Sequence, residues 1–395
     1  MSEVLARRDS DIAVNVEEAV LDRYSEASRQ AEPALCCPVQ YDGRFLEVLP
    51  DELVERDYGC GDPSRFVGRG ETVLDLGSGA GKICYIASQI VGPQGCVMGV
   101  DMNDHMLALA RKYQDEIGQR IGWHNVDFHK GKIQDLALNL QRFELYLQQE
   151  PVQNASDWLR AERYAHQLRE QEPMIPADSV DVVLSNCVFN LVQPADRAQL
   201  FGEIFRVLRR GGRAIVSDIV SDEPVPERLK RDPQLWSGCI SGAYVEHELL
   251  AQFEQAGFYG IEIVDRPRDA WATVEGIEFR SVTVRAFKEK EGACMDHLEA
   301  VIYRGPWKTV TDDDGHVLRR GVRTAVCQKT FQLFGQPPYA EDVIAVPPAA
   351  PVATADARPF DCQPSAVRNP CETKGDKFVK TVLPKADCCG PNDCC

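Results

Sequence analysis

A glycine-rich loop between an apolar strand and an amphipathic helix constrains the fold of this chain more than any other feature. The loop spans residues 75–81 and reads Asp-Leu-Gly-Ser-Gly-Ala-Gly. Its glycines let the backbone approach a ligand, and the N-terminus of the following helix favours negative charge. Asp101, twenty residues beyond Gly81, ends the next apolar strand, where a carboxylate can accept both hydroxyls of a ribose. Together these features predict a site for a nucleoside-containing cofactor.

The residues around this loop have the pattern of a parallel sheet. From Thr72 onward, short apolar runs alternate with amphipathic stretches, as in chains that build units of strand, helix and strand. We therefore predict an α/β fold with strands over 73–76, 96–100, 180–184 and 213–220. The cofactor site then lies at the carboxyl ends of the first strands.

The spacing of the glycines narrows the choice of cofactor. Dinucleotide-binding folds usually place them as G-x-G-x-x-G, whereas positions 77, 79 and 81 give G-x-G-x-G behind an acidic residue. This arrangement resembles the class I S-adenosylmethionine methyltransferases. The resemblance implies a Rossmann-like sheet with helices on both faces and S-adenosylmethionine as methyl donor; NAD, or a tight turn without a ligand, are the alternatives. The predicted cofactor-binding residues are Asp75, Gly77, Ser78, Gly79, Gly81, Asp101, Met102, Ile133 and Asn186.

Changes in composition along the chain predict how it divides into segments. Residues 1–70 form a predicted N-terminal cover segment with thiols, and 71–290 form the methyltransferase domain, with a helical insertion over about 134–176. Residues 291–336 contain apolar patches compatible with a small C-terminal module, to which the sequence assigns no function. Residues 337–395 are predicted to be a flexible Pro/Ala-rich linker and a Cys-rich tail, because the linker cannot bury enough apolar surface to offset chain entropy.

Charge and the N-terminal sequence limit the partners and the location. The 395 residues carry a formal net charge of −17, which disfavours nucleic acid and anionic membranes as partners. The first 25 residues lack the apolar core of a signal peptide, and no later run could span a bilayer. We expect a cytoplasmic protein. In a reducing cytosol its fifteen cysteines are better interpreted as ligands, redox groups or buried apolar residues than as a disulfide framework.

Two cysteines have a context that points to a site. Cys187 follows the strand over 180–184, where open α/β sheets place their ligands, so its thiol should face the methyl donor. Cys239 lies in a glycine-containing turn suited to close approach. Cys84 and Cys96 are expected to be ordinary core residues, because a cysteine without such a context packs as a small apolar side chain.

Residues 32–290 resemble the arsenite methyltransferases. The motifs that carry the resemblance are Tyr58-Gly59-Cys60-Gly61, the loop over 75–81, Ser185-Asn186-Cys187, Asn190-Leu191 and Gly238-Cys239. The resemblance implies that Cys60, Cys187 and Cys239 hold trivalent arsenic, with the elements of the arsenic site over about 185–245. It also implies a thiol relay between Cys60 and either Cys36 or Cys37. Phe189 is a departure, because some relatives have a cysteine there.

The predicted reaction moves methyl groups from S-adenosylmethionine to arsenite and yields methylated arsenicals. Soft thiolates prefer a thiophilic centre, and arsenic held near the sulfonium methyl presents its lone pair for in-line attack. Each transfer formally oxidises arsenic, so nearby thiols must supply electrons and be reduced again by thioredoxin or glutathione. The alternatives are a small-molecule C- or O-methyltransferase and a non-catalytic, thiol-rich metalloid-binding protein.

The chain ends in two adjacent cysteine pairs, Cys388-Cys389 and Cys394-Cys395. Adjacent cysteines cannot easily reach a common tetrahedral zinc, so a thiol arm that captures arsenite fits better than a zinc site. A dispensable tail is the other alternative.

Overall fold

The computed structural model describes residues 16–30, 32, 39–288, 292–362, 365–375 and 378–383. The chain divides into two compact units, residues 1–289 and 290–395. The predicted relay thiols Cys36 and Cys37 lie outside the described residues. So do the four cysteines predicted to form the capture arm, which are Cys388, Cys389, Cys394 and Cys395.

A mixed sheet forms the centre of the first unit. Its described strands are β1 (Thr72–Leu76), β2 (Cys96–Asp101), β3 (Val126–Lys130), β4 (Val180–Asn186), β5 (Leu208–Ser221), β6 (Tyr244–Val245), β7 (Tyr259–Asp265), β8 (Ala272–Val274) and β9 (Ile277–Phe287). They are ordered β3, β2, β1, β4, β5, β9, β7, with β6 paired to β5 and β8 to β9. The strands β1 to β5 are parallel, whereas β9 pairs antiparallel with β5, β7 and β8. The parallel part places the carboxyl ends of β1, β2 and β4 side by side.

Helices connect these strands. Those described in the first unit are α1 (Val16–Ala27), α2 (Gly43–Leu46), α3 (Asp51–Glu55), α4 (Lys82–Val91), α5 (Asp104–Lys112), α6 (Gln114–Ile121), α7 (Leu140–Gln149), α8 (Ala155–Gln171), α9 (Arg197–Val207), α10 (Glu227–Lys230), α11 (Pro233–Ser237) and α12 (Glu246–Gln255). The helices α5, α7 and α8 each begin after an asparagine whose side chain accepts hydrogen bonds from first-turn N–H groups. In the described part of the chain, we find no helix with the length and apolar character that a bilayer crossing requires.

Alternating side chains give the sheet two buried faces. In β1, Val73 packs into one core cluster, whereas Leu74 and Leu76 pack into another, because successive residues of a strand point to opposite faces. The helices α4, α5 and α6 contribute to the first cluster, and α9 and α12 to the second. The predicted α/β class, with helices on both faces of the sheet, is therefore confirmed.

The second unit has smaller sheets of its own. Its described elements are β10 (Met295–Asp296), β11 (Ala300–Tyr303), β12 (Thr309–Thr311), β13 (Val317–Arg319), β14 (Arg323–Ala325), α13 (Gln328–Phe334), β15 (Val343–Val346), β16 (Arg358–Pro359) and α14 (Pro370–Lys374). The strand β11 lies between β14 and β15 and is antiparallel to both.

The strand β15 contradicts the prediction of a flexible linker that begins at residue 337. All four residues of β15 pair with β11, and Val343 packs with Val301 and Tyr303 in the core of the unit. Only Val343 of β15 is buried. The strand therefore contributes a single apolar core residue, and prolines lie on both sides of it, which explains why composition alone suggested a flexible segment.

Candidate active site

One pocket opens at the carboxyl ends of β1, β2 and β4. Eight of the nine predicted cofactor-binding residues line it: Asp75, Gly77, Ser78, Gly79, Asp101, Met102, Ile133 and Asn186. The ninth, Gly81, is not among the lining residues. It has a φ of 87° at the start of α4, and a Cβ there would lie 2.7 Å from the Phe128 ring. Gly81 therefore shapes the turn into the helix.

Hydrogen bonds fix the glycine-rich loop to β2. The N–H of Gly77 donates to the carbonyl of Val100 at 2.8 Å, and that of Gly79 donates to Oδ2 of Asp101 at 2.9 Å. Gly77 has a φ of 67°, and a Cβ there would lie 2.6 Å from the Val188 side chain. Only glycine fits at this position. The loop thus orients the Asp101 carboxylate at the pocket wall.

Asp75 is a buried acid in the pocket wall. Burial raises the pKa of Asp75 to about 8, although a hydrogen bond from the Cys84 thiol, 3.3 Å from Oδ2, favours the ionised form. Cys84 is fully buried in a core cluster, as its sequence context predicted, and its thiol also contacts Asp75. Nearby, the buried Ser78 hydroxyl makes no hydrogen bond within the described part of the chain. An acid that holds a proton and an unsatisfied hydroxyl are polar groups that a bound ligand can satisfy.

Three of the predicted site cysteines lie together beside this pocket. The side chains of Cys60, Cys187 and Cys239 are each at most 6% exposed and share one buried cluster. The sulfur of Cys187 lies within 4.8 Å of that of Cys239, the Cys239 thiol donates to the Cys187 carbonyl at 3.4 Å, and the Cys187 thiol also interacts with that of Cys60. Cys187 also lines the cofactor pocket. The structure thus brings thiols from three distant segments into contact at the edge of the pocket.

The backbone at two of these cysteines is in the left-handed region. The φ angles are 65° at Cys187 and 62° at Cys239, a conformation that costs free energy in any residue with a Cβ. The Cys187 N–H donates to the Ser217 carbonyl at 2.7 Å, which holds the segment after β4 against β5. Asn190 Nδ2 donates to the Cys239 carbonyl at 3.3 Å and so links the two cysteine segments. Such strain, held by specific hydrogen bonds, is typical of functional sites.

Asn186 positions the segment that carries Cys60. Its Oδ1 accepts hydrogen bonds from the N–H groups of Cys60 and Gly61 at 2.9 and 3.1 Å, and its Nδ2 donates to the Gly61 carbonyl at 2.8 Å. A Cβ on Gly59 would lie 2.1 Å from the same amide. Asn186 lines the pocket as well, but these hydrogen bonds make it chiefly a positioning residue for Cys60.

The thiols of Cys187 and Cys239 are held in their neutral form. The Cys239 thiol favours ionisation of Cys187, but contact with Cys60, burial and the Asp218 carboxylate outweigh it and raise the pKa of Cys187 well above its usual value. The hydrogen bond to Cys187 and burial likewise raise the pKa of Cys239. A carboxylate oxygen of Asp218 lies within 4.8 Å of the sulfurs of Cys187 and Cys239. Burial raises the pKa of Asp218 to about 6.

The helix α1 covers the pocket and reaches the thiols. Residues Glu17, Val20, Leu21 and Tyr24 of α1 line the pocket. The Tyr24 hydroxyl lies beside the Cys239 thiol. Arg23 Nη1 donates to the Gln234 carbonyl at 2.8 Å, which fastens α1 to α11.

Comparison with known proteins identifies the family. A family model described as a methyltransferase domain matches residues 68–257, and one described as a domain of unknown function matches 290–378. An arsenite methyltransferase of Aquipseudomonas alcaligenes is 32% identical over 78% of this chain and 83% of its own length. The chain belongs to the arsenite methyltransferases. The arsenite methyltransferase of Homo sapiens is 26% identical over 99% of this chain and 100% of its own.

A solved structure of the family supports the same assignment. The crystal structure of an arsenic(III) S-adenosylmethionine methyltransferase from Chlamydomonas reinhardtii is 25% identical, covers 83% of this chain and 99% of that chain, and superposes with a TM-score of 0.52. The predicted family and the S-adenosylmethionine-dependent methyltransferase class are therefore confirmed.

Sequence reasoning missed three side chains at the site of this methyltransferase. Asp218 lies in the apolar strand β5, where its charge among buried residues was the available signal. Tyr24 lies on α1, and only the packing of α1 against α11 and α5 brings it to Cys239. Asn190 was recognised as part of a family motif, but its hydrogen bond to the Cys239 segment requires the folded chain.

Proposed function

We propose that this chain transfers the methyl group of S-adenosylmethionine to trivalent arsenic held by Cys60, Cys187 and Cys239. The observation that carries the proposal is the contact of these three buried thiols beside a pocket lined by the glycine-rich loop and Asp101. A single buried cysteine packs as an apolar side chain, but three in contact form a soft ligand set that suits a thiophilic centre.

Neutral thiols suit the loading of arsenite. Arsenous acid is uncharged, and each As–S bond that replaces an As–O bond releases a water molecule that carries away the thiol proton. The exchange leaves no net charge in a site where burial makes charge costly. The raised pKa values of Cys187 and Cys239 are therefore compatible with loading, because no thiolate has to persist in the site.

The pocket suits the methyl donor. Asp101, fixed by Gly79, can accept the ribose hydroxyls, and Met102 and Ile133 line the pocket where they can cover the faces of the adenine. Asp75 and the unsatisfied Ser78 hydroxyl can receive the polar methionine end. When bound, the donor supplies an electrophilic methyl group on a sulfonium.

Most of the rate enhancement comes from holding arsenic in line with the methyl group of the donor. The arsenic lone pair forms the As–C bond as the methyl–sulfur bond breaks, which releases S-adenosylhomocysteine and leaves arsenic formally pentavalent. A free thiol then bonds to the sulfur of an arsenic-bound cysteine as the As–S bond breaks; that bonding pair stays on arsenic, which is trivalent again, and the proton of the attacking thiol leaves to solvent. We assign this relay to Cys60 with Cys36 or Cys37, and reduction of the disulfide to thioredoxin or glutathione.

The proposal is tested by following S-adenosylhomocysteine release with arsenite, S-adenosylmethionine and a thiol reductant. We expect release to require arsenite and to fall at least about 100-fold in Cys187→Ser and in Cys239→Ser, because both variants lose an arsenic ligand. Cys96→Ser is the matched control, since this half-buried cysteine begins β2 at the end of the strand away from the pocket.

Binding of S-adenosylmethionine, measured by calorimetry, should be unchanged in all three variants. Release without arsenite would contradict the proposal and favour an organic methyl acceptor. Tight arsenite binding without any release in the parent would favour a metalloid-binding protein.

A further inference from the structure

A second cluster of three thiols lies in the second unit, among residues that the proposed function does not use. Sulfur atoms of Cys294, Cys327 and Cys362 all lie within 4.8 Å of one another. They come from three segments: Cys294 precedes β10, Cys327 precedes α13 and Cys362 follows β16. Cysteines so far apart in sequence meet only because the unit folds around them.

The backbone holds these thiols in place. The Phe360 N–H donates to the Cys294 carbonyl at 2.9 Å and continues the pairing of β10 with β16, which brings Cys362 beside Cys294. Cys327 is fully buried, and its sulfur lies 3.3 Å from the Thr330 hydroxyl. Cys294 and Cys362 are half-buried. The cluster therefore has a buried base and a side that a small solute can reach.

We propose that Cys294, Cys327 and Cys362 form a binding site for trivalent arsenic, separate from the site of methyl transfer. The number of ligands is the first argument. Among the described residues, no fourth cysteine, histidine or carboxylate joins the three sulfurs within the same 4.8 Å. Zinc in a structural site takes four ligands, whereas arsenic(III) takes three thiolates and keeps its lone pair in the fourth direction.

Charge is the second argument. Three thiolates around zinc leave one negative charge, and around copper(I) they leave two, whereas around arsenic(III) they leave none. A neutral complex suits a cluster whose base, Cys327, is fully buried. Binding breaks three As–O bonds and forms three As–S bonds, and the three thiol protons leave with the hydroxyls as water. No electrons are transferred.

The test measures arsenic bound to the full-length, fully reduced chain after gel filtration, with arsenite alone as the probe. We expect Cys294→Ser and Cys362→Ser each to bind one equivalent less than the parent. Both residues are half-buried, so these variants should fold. Cys371→Ser, an exposed cysteine of the same unit, is the matched control and should bind as much as the parent.

Two further readouts separate this site from the methyl-transfer site. Cys294→Ser and Cys362→Ser should keep the parent rate of S-adenosylhomocysteine release at saturating arsenite. The measurement of bound arsenic does not use this assay, so it tests the second site even if the proposed function fails. In Cys187→Ser, X-ray absorption at the arsenic edge should show arsenic with three sulfur neighbours, and adding Cys362→Ser should remove that signal. Unchanged stoichiometry in the cluster variants, or stoichiometric zinc bound by these cysteines, would overturn the proposal.

Discussion

Asn186 illustrates how a single residue organises the site. The oxygen and the nitrogen of its side-chain amide both form hydrogen bonds with the backbone of the Cys60–Gly61 segment. Its position at the end of β4 places it next to Cys187. One side chain therefore ties a segment from the N-terminal region to the central strand that precedes Cys187. The proposed arsenic ligands Cys60 and Cys187 depend on it, although it need not touch arsenic itself.

Asn186→Ala should lower turnover with arsenite at least about 10-fold, because two N–H groups lose their acceptor and the Cys60 segment is released. Asn139→Ala, which removes the cap of α7 away from the site, is the matched control and should cost only about 1 kcal/mol of stability. Steady-state kinetics and calorimetry together check this. A loss of cofactor affinity larger than the loss of turnover would show instead that Asn186 serves mainly the cofactor.

We expect the Asp75 carboxyl group to release a proton when the cofactor binds. Its pKa of about 8 means that the unliganded protein holds this proton near neutral pH, and a bound cationic group lowers that pKa. Because the folded state binds the proton more tightly than the unfolded state, this group also makes the unliganded protein less stable as pH rises towards 8.

Calorimetry of S-adenosylmethionine binding at pH 7, in buffers with different ionisation enthalpies, should show release of close to one proton. Asp75→Asn should abolish that release. Equal proton release by the parent and Asp75→Asn would assign it to another group.

At the scale of elements, α1 closes the pocket while the sheet supplies its floor. Arg23 fastens α1 to α11, and Asn103 Nδ2 donates to the Leu21 carbonyl at 3.1 Å and fastens it to the start of α5. Together with the ion pair of Glu17 and Lys132, these polar contacts hold the helix at the pocket that its residues line. An element held by a few polar contacts can open more cheaply than the sheet.

Arg23→Met should destabilise the protein by roughly 1 kcal/mol, since its hydrogen bonds are partly exposed, yet it should speed cofactor dissociation several-fold. Stopped-flow measurement of dissociation checks this. Arg44→Met, an exposed arginine paired with Asp42, is the control and should leave the dissociation rate unchanged. If Arg23→Met dissociates the cofactor at the parent rate, α1 does not gate the pocket.

Sequence patterns were informative for elements whose apolar residues repeat along the chain. The short apolar runs between amphipathic stretches predicted the parallel sheet, and the glycine-rich loop predicted its cofactor site, because local spacing determines both. The strand β15 was not recognised, because only Val343 is buried and pairing with β11 supplies the rest of its stability. Tyr24 and Asp218 were missed for a related reason: tertiary packing alone places them beside the thiols.

At the scale of the whole molecule, three groups of thiols have different proposed uses. Cys60, Cys187 and Cys239 serve transfer, Cys294, Cys327 and Cys362 form a second site, and the terminal pairs remain a predicted capture arm. Arsenous acid is neutral, so the net charge of −17 neither attracts nor repels it. A high local concentration of thiols then gathers arsenous acid where charge does not.

Replacing Cys388, Cys389, Cys394 and Cys395 together by serine should raise KM for arsenite several-fold and leave kcat unchanged, because capture acts only when arsenite is scarce. Initial rates over a range of arsenite concentrations check this. An unchanged KM would mean that the tail is dispensable for capture.

Arsenic binding by the three buried thiols is tested most directly by an anomalous difference map at the arsenic edge from crystals grown with arsenite and S-adenosylhomocysteine. We expect an arsenic peak within bonding distance of the sulfurs of Cys60, Cys187 and Cys239, beside the pocket that holds the cofactor product. A map from well-occupied crystals with no arsenic at these three sulfurs would contradict it.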